Sequence, residues 1–274
     1  MTEPSITTPR EVPIRSLAPF LIITFGLTWG ILGLFIVLPD RMTAMFGPLT
    51  GQHPLFFLCV YAPAIAAFII VARYGGLAGL WRFLSRLLLW RCSPLWYAFL
   101  IIGIPLIFYA GAAMNGKLFS EPFPFSSIQS IAAALVFAAI KGPVEEFGWR
   151  GLALPVLQRK LAPIWAALTI GVIWGLWHLP AFLLSGTQQS EWSFAAFFAG
   201  CIVISVIATA LFNASRGSIL LAALFHFNLM NPIFPDAQPY DTYLLAVVAV
   251  AVVWFHRQSM FKRQGAWAEV IPPA

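Results

Sequence analysis

Charged residues are scarce in this chain: Asp, Glu, Lys and Arg make up 9% of its 274 residues, and ten of them are acidic. Soluble globular domains carry roughly 25% charged residues, so the composition excludes an ordinary soluble enzyme. Hydrophobic residues reach 60% and aromatic residues 15%, which is typical of a protein with several membrane spans.

Cysteine is almost absent as well. Cys59, Cys92 and Cys201 stand singly in apolar surroundings, with neither paired nor metal-ligand spacing. This excludes a disulfide framework and predicts that the cysteines are packing residues. The chain also lacks a repeat of fixed period and a low-complexity linker, so we predict one membrane domain over residues 1–274.

Long apolar windows dominate what is present. A helix needs roughly 20 residues to cross a bilayer, and these windows approach or reach that length. They predict an all-α, polytopic bundle of about eight transmembrane helices. They cover residues 17–38, 54–71, 94–114, 128–145, 163–184, 194–212, 218–234 and 240–255. The first follows a polar leader and lacks a small-residue cleavage site, which favours a retained helix over a signal peptide.

Basic residues are distributed unevenly between the two sets of loops, and Lys and Arg near span ends accumulate on the cytoplasmic side. With the N-terminus inside, the cytoplasmic set is Arg10, Arg15, Arg73, Arg82, Arg86, Arg91, Arg159, Lys160, Arg216, Arg257, Lys262 and Arg263. The opposite set is Arg41 and Lys117, alongside Asp40, Glu121, Glu191, Asp236 and Asp241. We therefore predict that both termini are cytoplasmic. The net charge of +6 then reflects contact with anionic lipid and requires no nucleic-acid partner.

Residues 77–89 place Leu, Trp and Phe around Arg82 and Arg86 at helical spacing. The pattern predicts an amphipathic helix lying on the cytoplasmic face of the membrane. An irregular loop is the alternative interpretation.

The polar groups suited to chemistry concentrate in the second half. Glu145 and Glu146 are the acidic residues inside a predicted span, and His178 and His226 the histidines; ionisable groups in a membrane mark functional sites. Counted at 1.5 Å per helical residue along unbroken helices, Glu145, His178 and His226 lie about 21, 27 and 15 Å deep. We therefore expect a common site between the fourth, fifth and seventh helices, opening to the cytoplasmic side or laterally to lipid.

A structural interpretation of the same residues remains open. Lys141 and Glu145, like Glu146 and Arg150, are spaced i, i+4 and would form helix-stabilising ion pairs. His178 would then be a histidine hydrogen-bonded between helices.

Motif elements occur in order on successive apolar segments. The first is EExxxR, formed by Glu145, Glu146 and Arg150 and followed by a glycine. In the second, Trp174 stands four residues before His178. The third is a histidine on a later apolar segment with asparagines near it.

His226 is the histidine of the third element. With all three elements in order, residues 128–235 resemble the CAAX-processing and bacteriocin-processing intramembrane endopeptidases, the Abi or CPBP family. The family pattern has phenylalanine in place of the motif tryptophan, and asparagine four residues after the last histidine, where this chain has Met230. Asn228 and Asn231 flank that position. At 100° per residue Asn231 lies one helical step from the expected face and Asn228 nearly opposite, so Asn231 is the candidate.

The resemblance implies hydrolysis of peptide bonds within or at the edge of the membrane. Adjacent carboxylates in low dielectric repel, which makes one of them a stronger base; Glu145 is our candidate for activating water. Glu146 would be held by the motif arginine. His178 and Asn231 would polarise the scissile carbonyl, and His226 would bind the water or shuttle a proton.

A metal mechanism is the alternative chemistry. Glu145 or Glu146, with His178 and His226, would ligate Zn²⁺ and leave one position open for water. The family has been described both as metalloproteases and as metal-independent glutamic proteases. The chain has no HExxH motif and therefore no local geometry that demands zinc, so both mechanisms stay open.

Two other function classes also stay open. Buried acids, histidines and Lys141 would suit a proton-coupled transporter, although transporter sites usually involve matched halves and these groups fall in one half. The family also implies a non-catalytic role in bacteriocin immunity or as a scaffold. For an enzyme, we expect a multi-pass protein of the bacterial cytoplasmic (inner) membrane that cleaves a peptide, a leader sequence or a membrane-protein segment rather than a prenylated tail.

Overall fold

The computed structural model of the protein describes residues 11–119 and 123–273, and within these ranges it is helical and contains no strand. Arg10 and Glu121, which entered the charge argument, lie outside the described residues. Helices long and apolar enough to cross a membrane are α1 (Ile14–Val37), α2 (Pro54–Leu88), α3 (Pro94–Met114), α4 (Ile128–Gln158), α5 (Pro163–Leu183) and α6 (Phe194–Ala214). Two shorter apolar helices follow, α7 (Ile219–Leu229) and α8 (Tyr240–Phe255). The predicted polytopic α-helical bundle is confirmed.

Local sequence explains where these helices begin. Pro54, Pro94 and Pro163 stand in the first turns of α2, α3 and α5, where a missing N–H costs nothing because it would have no intrahelical partner. The side chain of Ser93 caps α3, and the side chain of Ser218 accepts a hydrogen bond from the N–H three residues later at the start of α7. Such caps satisfy backbone donors that the first turn leaves free.

Two of the described spans contain π-helical stretches. In α3, a π-helical stretch covers Phe99–Gly103. In α4, an α-helix over Ile128–Lys141 ends in a turn at Gly142 and Pro143, after which a short helix, Glu145–Gly148, leads into a π-helical stretch, Trp149–Ala153. The depth count assumed that the fourth helix continues past Gly151 and Pro155, and it does continue there, through the π-helical stretch and the α-helical turn Leu154–Gln158. The turn at Gly142 and Pro143 precedes the residues that were counted.

The two ends of the bundle hold different loops. At one end, the Arg159 side chain donates to the carbonyl of Ala268 (3.0 Å) and pairs with Glu11 (3.0 Å). At the other end, Lys117 Nζ pairs with Asp236. The segments near the two termini therefore lie at the same end, as the charge distribution predicted. The cytoplasmic assignment of that end stays a prediction.

The segment predicted to be amphipathic continues α2 beyond a kink at Gly76 (φ 60°). It is α-helical to Leu84 and then 3₁₀-helical over Ser85–Leu88. Trp81 is exposed, but Arg86 is completely buried. The helix was predicted correctly, and its position on the cytoplasmic face of the membrane stays a prediction. Arg86 does not face outward from it, because its guanidinium bonds backbone carbonyls inside the bundle.

Close helix crossings position the site. A Cβ built at Gly148 of α4 would lie 2.6 Å from the carbonyl oxygen of Pro63 in α2, and one at Gly171 of α5 would lie 2.6 Å from the Cα of Ile202 in α6. Only glycine permits backbones to approach this closely. The cysteines are free, and two of them are buried in apolar clusters as predicted.

Candidate active site

A cavity of about 1210 Å³ lies among the helices that carry the motif. Its wall includes four of the six predicted catalytic residues, Glu145, His178, His226 and Asn231. Glu146 and Arg150 are not part of the wall, and both are buried behind it, 2% and 1% exposed. The motif therefore divides into groups that face the cavity and groups that support them.

The cavity extends toward the end of the bundle opposite the termini. Its wall includes Gln52, Lys117, Gln188 and Asp236, which belong to the loops of that end. The opening of the site to the cytoplasmic side or laterally to lipid stays a prediction.

Glu145 is anchored by one hydrogen bond. Trp174 Nε1–H donates to its Oε2 at 2.8 Å, and Glu145 itself is 5% exposed. The bond leaves Oε1 of this carboxylate for a further partner. The motif tryptophan, one turn before His178, thus acts as a donor, a role that phenylalanine at the family position would not have.

Glu146 is held by two partners through the same oxygen. Its Oε1 accepts from Arg150 Nη1 at 3.0 Å and from His226 Nδ1 at 2.7 Å. The predicted i, i+4 ion pair with Arg150 is therefore formed. The guanidinium also lies over the ring of Trp174, 5.0 Å from its centroid, which is cation–π geometry. Glu146 thereby connects α4 to α7.

Both histidines have their Nδ1 occupied. His178 Nδ1 lies 2.8 Å from the carbonyl oxygen of Trp174, and a carbonyl can only accept, so Nδ1 carries the proton. His226 Nδ1 likewise donates to the carboxylate of Glu146. In the neutral form of each ring, Nε2 is then the unprotonated nitrogen. The site therefore offers two imidazole acceptors beside one carboxylate.

The predicted ion pair between Lys141 and Glu145 is not formed. Lys141 Nζ instead donates to the carbonyl of Gly51 at 3.1 Å and lies over the ring of Phe56. The turn at Gly142 and Pro143 separates Lys141 from Glu145, so the helical i, i+4 relation does not hold between them.

Asn231 reaches the cavity wall because α7 ends before it. The last helical residue is Leu229, and Met230 is the C-cap. Asn231 Oδ1 accepts from the N–H of Ile233 at 3.1 Å, which leaves the amide nitrogen as the donor end. Counting 100° steps along a helix does not apply to a residue outside it.

Gly142 is a site residue that sequence reasoning missed. A Cβ built there would lie 2.0 Å from Met230 Sδ and 2.9 Å from His226 Nε2. Its signal was the Gly-Pro pair directly before the motif, which marks a turn. The turn brings backbone, rather than a side chain, against His226.

A zinc site was tested against the same geometry. Among residues 11–119 and 123–273, no group of three or more His, Cys, Asp or Glu side chains is arranged to hold a metal ion. The predicted set of Glu145, Glu146, His178 and His226 does not fit as it stands, because the latter glutamate already accepts from a guanidinium and an imidazole. The zinc set stays a prediction.

Comparison with known proteins agrees with the motif. The family described as Type II CAAX prenyl endopeptidase Rce1-like matches residues 127–231, the stretch that contains all six predicted catalytic residues. A relative named CAAX prenyl protease 2, from Methanococcus maripaludis, is 29% identical over 180 residues, covering 61% of this chain and 65% of the relative. The chain thus spans 65% of the length of that relative. In its ordered motif elements and in these two matches, the chain is similar to the CPBP family.

Proposed function

We propose that this protein is an intramembrane endopeptidase in which Glu145 activates the attacking water. One observation carries the proposal. The wall of one cavity holds a carboxylate, two histidines and an amide, while the second glutamate is paired with arginine behind it. Peptide hydrolysis needs a base for water, a donor for the oxyanion and a proton carrier for the leaving amine.

The first step uses the free oxygen of Glu145. With Trp174 bonded to Oε2, Oε1 accepts a proton from water as the water oxygen bonds to the scissile carbonyl carbon.

The oxyanion formed in this step needs a donor. A neutral His178 has its proton on Nδ1, where it bonds the carbonyl of Trp174, and its Nε2 is an acceptor. Asn231 is therefore the proposed donor, since its Oδ1 is engaged with Ile233 and its Nδ2 remains for the substrate. His178 would instead orient the water through Nε2.

The leaving amine must gain a proton as the C–N bond breaks. His226 is suited to pass on the proton that Glu145 takes from water, because its Nδ1–H donates to Glu146, which leaves Nε2 to accept that proton and deliver it to the leaving nitrogen. Arg150 holds the carboxylate of Glu146 in place. The products are a new carboxylate and a protonated amine, and no co-reactant other than water is consumed.

The substrate we propose is an apolar peptide or a membrane-protein segment. Aromatic side chains make up much of the cavity wall, among them Phe108, Tyr109, Phe137, Trp192 and Phe197. The name of the relative includes prenyl proteins as substrates, so a prenylated C-terminal peptide is the second candidate for this chain. A bacterial cytoplasmic membrane is the proposed location.

Hydrolysis of a quenched-fluorescent peptide library by protein in detergent tests the proposal. Glu145→Gln should lower kcat by about 10²- to 10⁴-fold, the usual contribution of general acid–base catalysis. The matched control is Glu191→Gln, which changes an exposed glutamate that is not part of the cavity wall and should leave kcat unchanged. Each peptide is also assayed with and without a prenyl group, which separates the two substrate classes.

The rival functions give different results. Folded wild type that hydrolyses no peptide but carries protons across proteoliposomes would replace the protease with a transporter. Neither activity in folded protein would favour the immunity or scaffold role. Elemental analysis decides the metal question: about one zinc per chain, lost in both His178→Ala and His226→Ala, would replace the glutamate mechanism.

A further inference from the structure

Arg86 is a buried cation that the proposed chemistry does not use. Its guanidinium is 0% exposed and donates to carbonyls of three separate segments. The acceptors are Gly151 at 2.7 Å, Gly217 at 2.8 Å and Val270 at 3.1 Å. The rings of Phe83 and Phe212 flank it, with centroids 5.6 and 5.2 Å away. A charge placed this deeply is costly unless it is hydrogen-bonded.

The first acceptor belongs to the catalytic motif. Gly151 directly follows Arg150 within the π-helical stretch. In α-helical register the donor to its carbonyl would be the N–H of residue 155, but that residue is Pro155, which has none. Arg86 supplies the missing donor from α2.

The second acceptor stands at the start of the helix that carries His226. Arg216 (φ 54°) and Gly217 (φ 83°) form a left-handed turn, and Ser218 then caps α7. A bond from Arg86 to the Gly217 carbonyl therefore fixes the point from which α7 departs.

The third acceptor belongs to segment 266–271, which covers this end of the bundle. The carbonyl of Trp267 accepts from the Gln158 side chain at 2.8 Å, and that of Ala268 accepts from Arg159 at 3.0 Å. The segment thus closes the arrangement from outside and keeps water from the guanidinium.

We propose that Arg86 is a positioning residue that sets the segment bearing Glu146 and Arg150 relative to the helix bearing His226. At the site, these two elements are joined by the bond from His226 to Glu146, which transmits any displacement between them. Arg86 does not line the cavity and therefore acts through these residues. For its effect on catalysis, this inference depends on the proposed peptidase activity.

Arg86→Met tests the inference against Arg82→Met, which removes a half-buried arginine one turn earlier on the same helix. In the folded Arg86→Met protein we expect kcat to fall by up to about 10²-fold, the cost of a misplacement near 1 Å. KM should change little, because the cavity wall is intact. Arg82→Met should match the wild type in both constants. A kcat of wild-type value in folded Arg86→Met would overturn the inference, as would a loss confined to KM.

Hydrogen exchange gives a readout that does not depend on peptidase activity. Backbone amides at the starts of α7 and of Leu154–Gln158 should exchange faster in Arg86→Met than in Arg82→Met, with no such difference on α8. If the wild type proves inactive on peptides, this comparison still decides the inference, and equal exchange in both variants would overturn it.

Two further variants separate positioning from simple stability. Pro155→Ala supplies a backbone N–H that can bond the Gly151 carbonyl. Adding this change to Arg86→Met should therefore recover part of the lost kcat. If the Gly151 carbonyl is bonded again and kcat does not recover, the result counts against the inference. If Arg86→Met does not fold, Arg86→Lys takes its place, because it keeps the charge without the planar fork. Arg86→Lys should show an intermediate kcat and faster exchange at α7, and wild-type values of both would overturn the inference.

Discussion

The two parts of α4 are adjacent in the chain and differ in their surroundings. Over Ile128–Lys141, Ala138 is the one buried residue, whereas nearly every residue of 145–158 is buried. The turn at Gly142 and Pro143 separates them. Since a charge facing lipid is costly, the comparison shows how one predicted span presents apolar surface outward in one part and encloses the motif charges in the other.

Removing one partner of the buried ion pair should produce the largest change in stability. Arg150→Met leaves Glu146 with His226 as its remaining partner and should lower the free energy of unfolding by about 3–5 kcal/mol. The measurement is equilibrium unfolding in mixed micelles. The double variant Glu146→Gln with Arg150→Met removes both charges and should recover part of the loss; a double variant less stable than Arg150→Met would contradict the account.

The sequence predicted the bundle well because lipid imposes a simple requirement: each span needs a long apolar run. The same requirement made Glu145 and Glu146 conspicuous, since few acidic residues occur within such runs. Neither inference needed tertiary contacts.

The parts that could not be predicted depend on such contacts. The burial of Arg86 follows from carbonyls that Pro155 and the turn at Gly217 leave without ordinary donors, and no pattern near Arg86 indicates them. The position of Asn231 depended on where α7 ends. The cavity extends among loops that contain no motif, so the pattern of apolar helices could not indicate which loops line it.

Gly148→Ala tests how tightly the buried part of α4 is packed. The added methyl group would lie 2.6 Å from the Pro63 carbonyl oxygen and 2.5 Å from its Cβ, and backbone cannot move aside as a side chain can. Overpacking of this kind should cost about 1–3 kcal/mol in the free energy of unfolding. Ala132→Leu, on the exposed part of α4, adds more volume and should cost less. Equal losses in the two variants would remove the distinction between the parts.

Gly142→Ala acts at the boundary and should affect activity more than stability. Met230 can move away from the new methyl group, but His226 is held by Glu146, and its Nε2 would lie 2.9 Å from that methyl. Displacement of the ring should lower kcat by about tenfold, with the melting temperature nearly unchanged. Adding Met230→Ala should not restore kcat; full recovery would assign the effect to the methionine contact instead.

Val136→Ala should give the smallest effect, because Val136 is 58% exposed on the outward part of α4. Lipid surrounds such a side chain in both the folded and the unfolded protein within the membrane, so its truncation transfers little apolar surface between environments. The free energy of unfolding should stay within about 0.5 kcal/mol of the wild type, as for surface positions elsewhere. Peptide hydrolysis should also be unchanged, since Val136 is not part of the cavity wall. A large loss of activity with normal stability would mean that this outward part of α4 contacts the substrate on its way to Glu145. The two parts of α4 would then differ in their roles in the reaction as well as in burial.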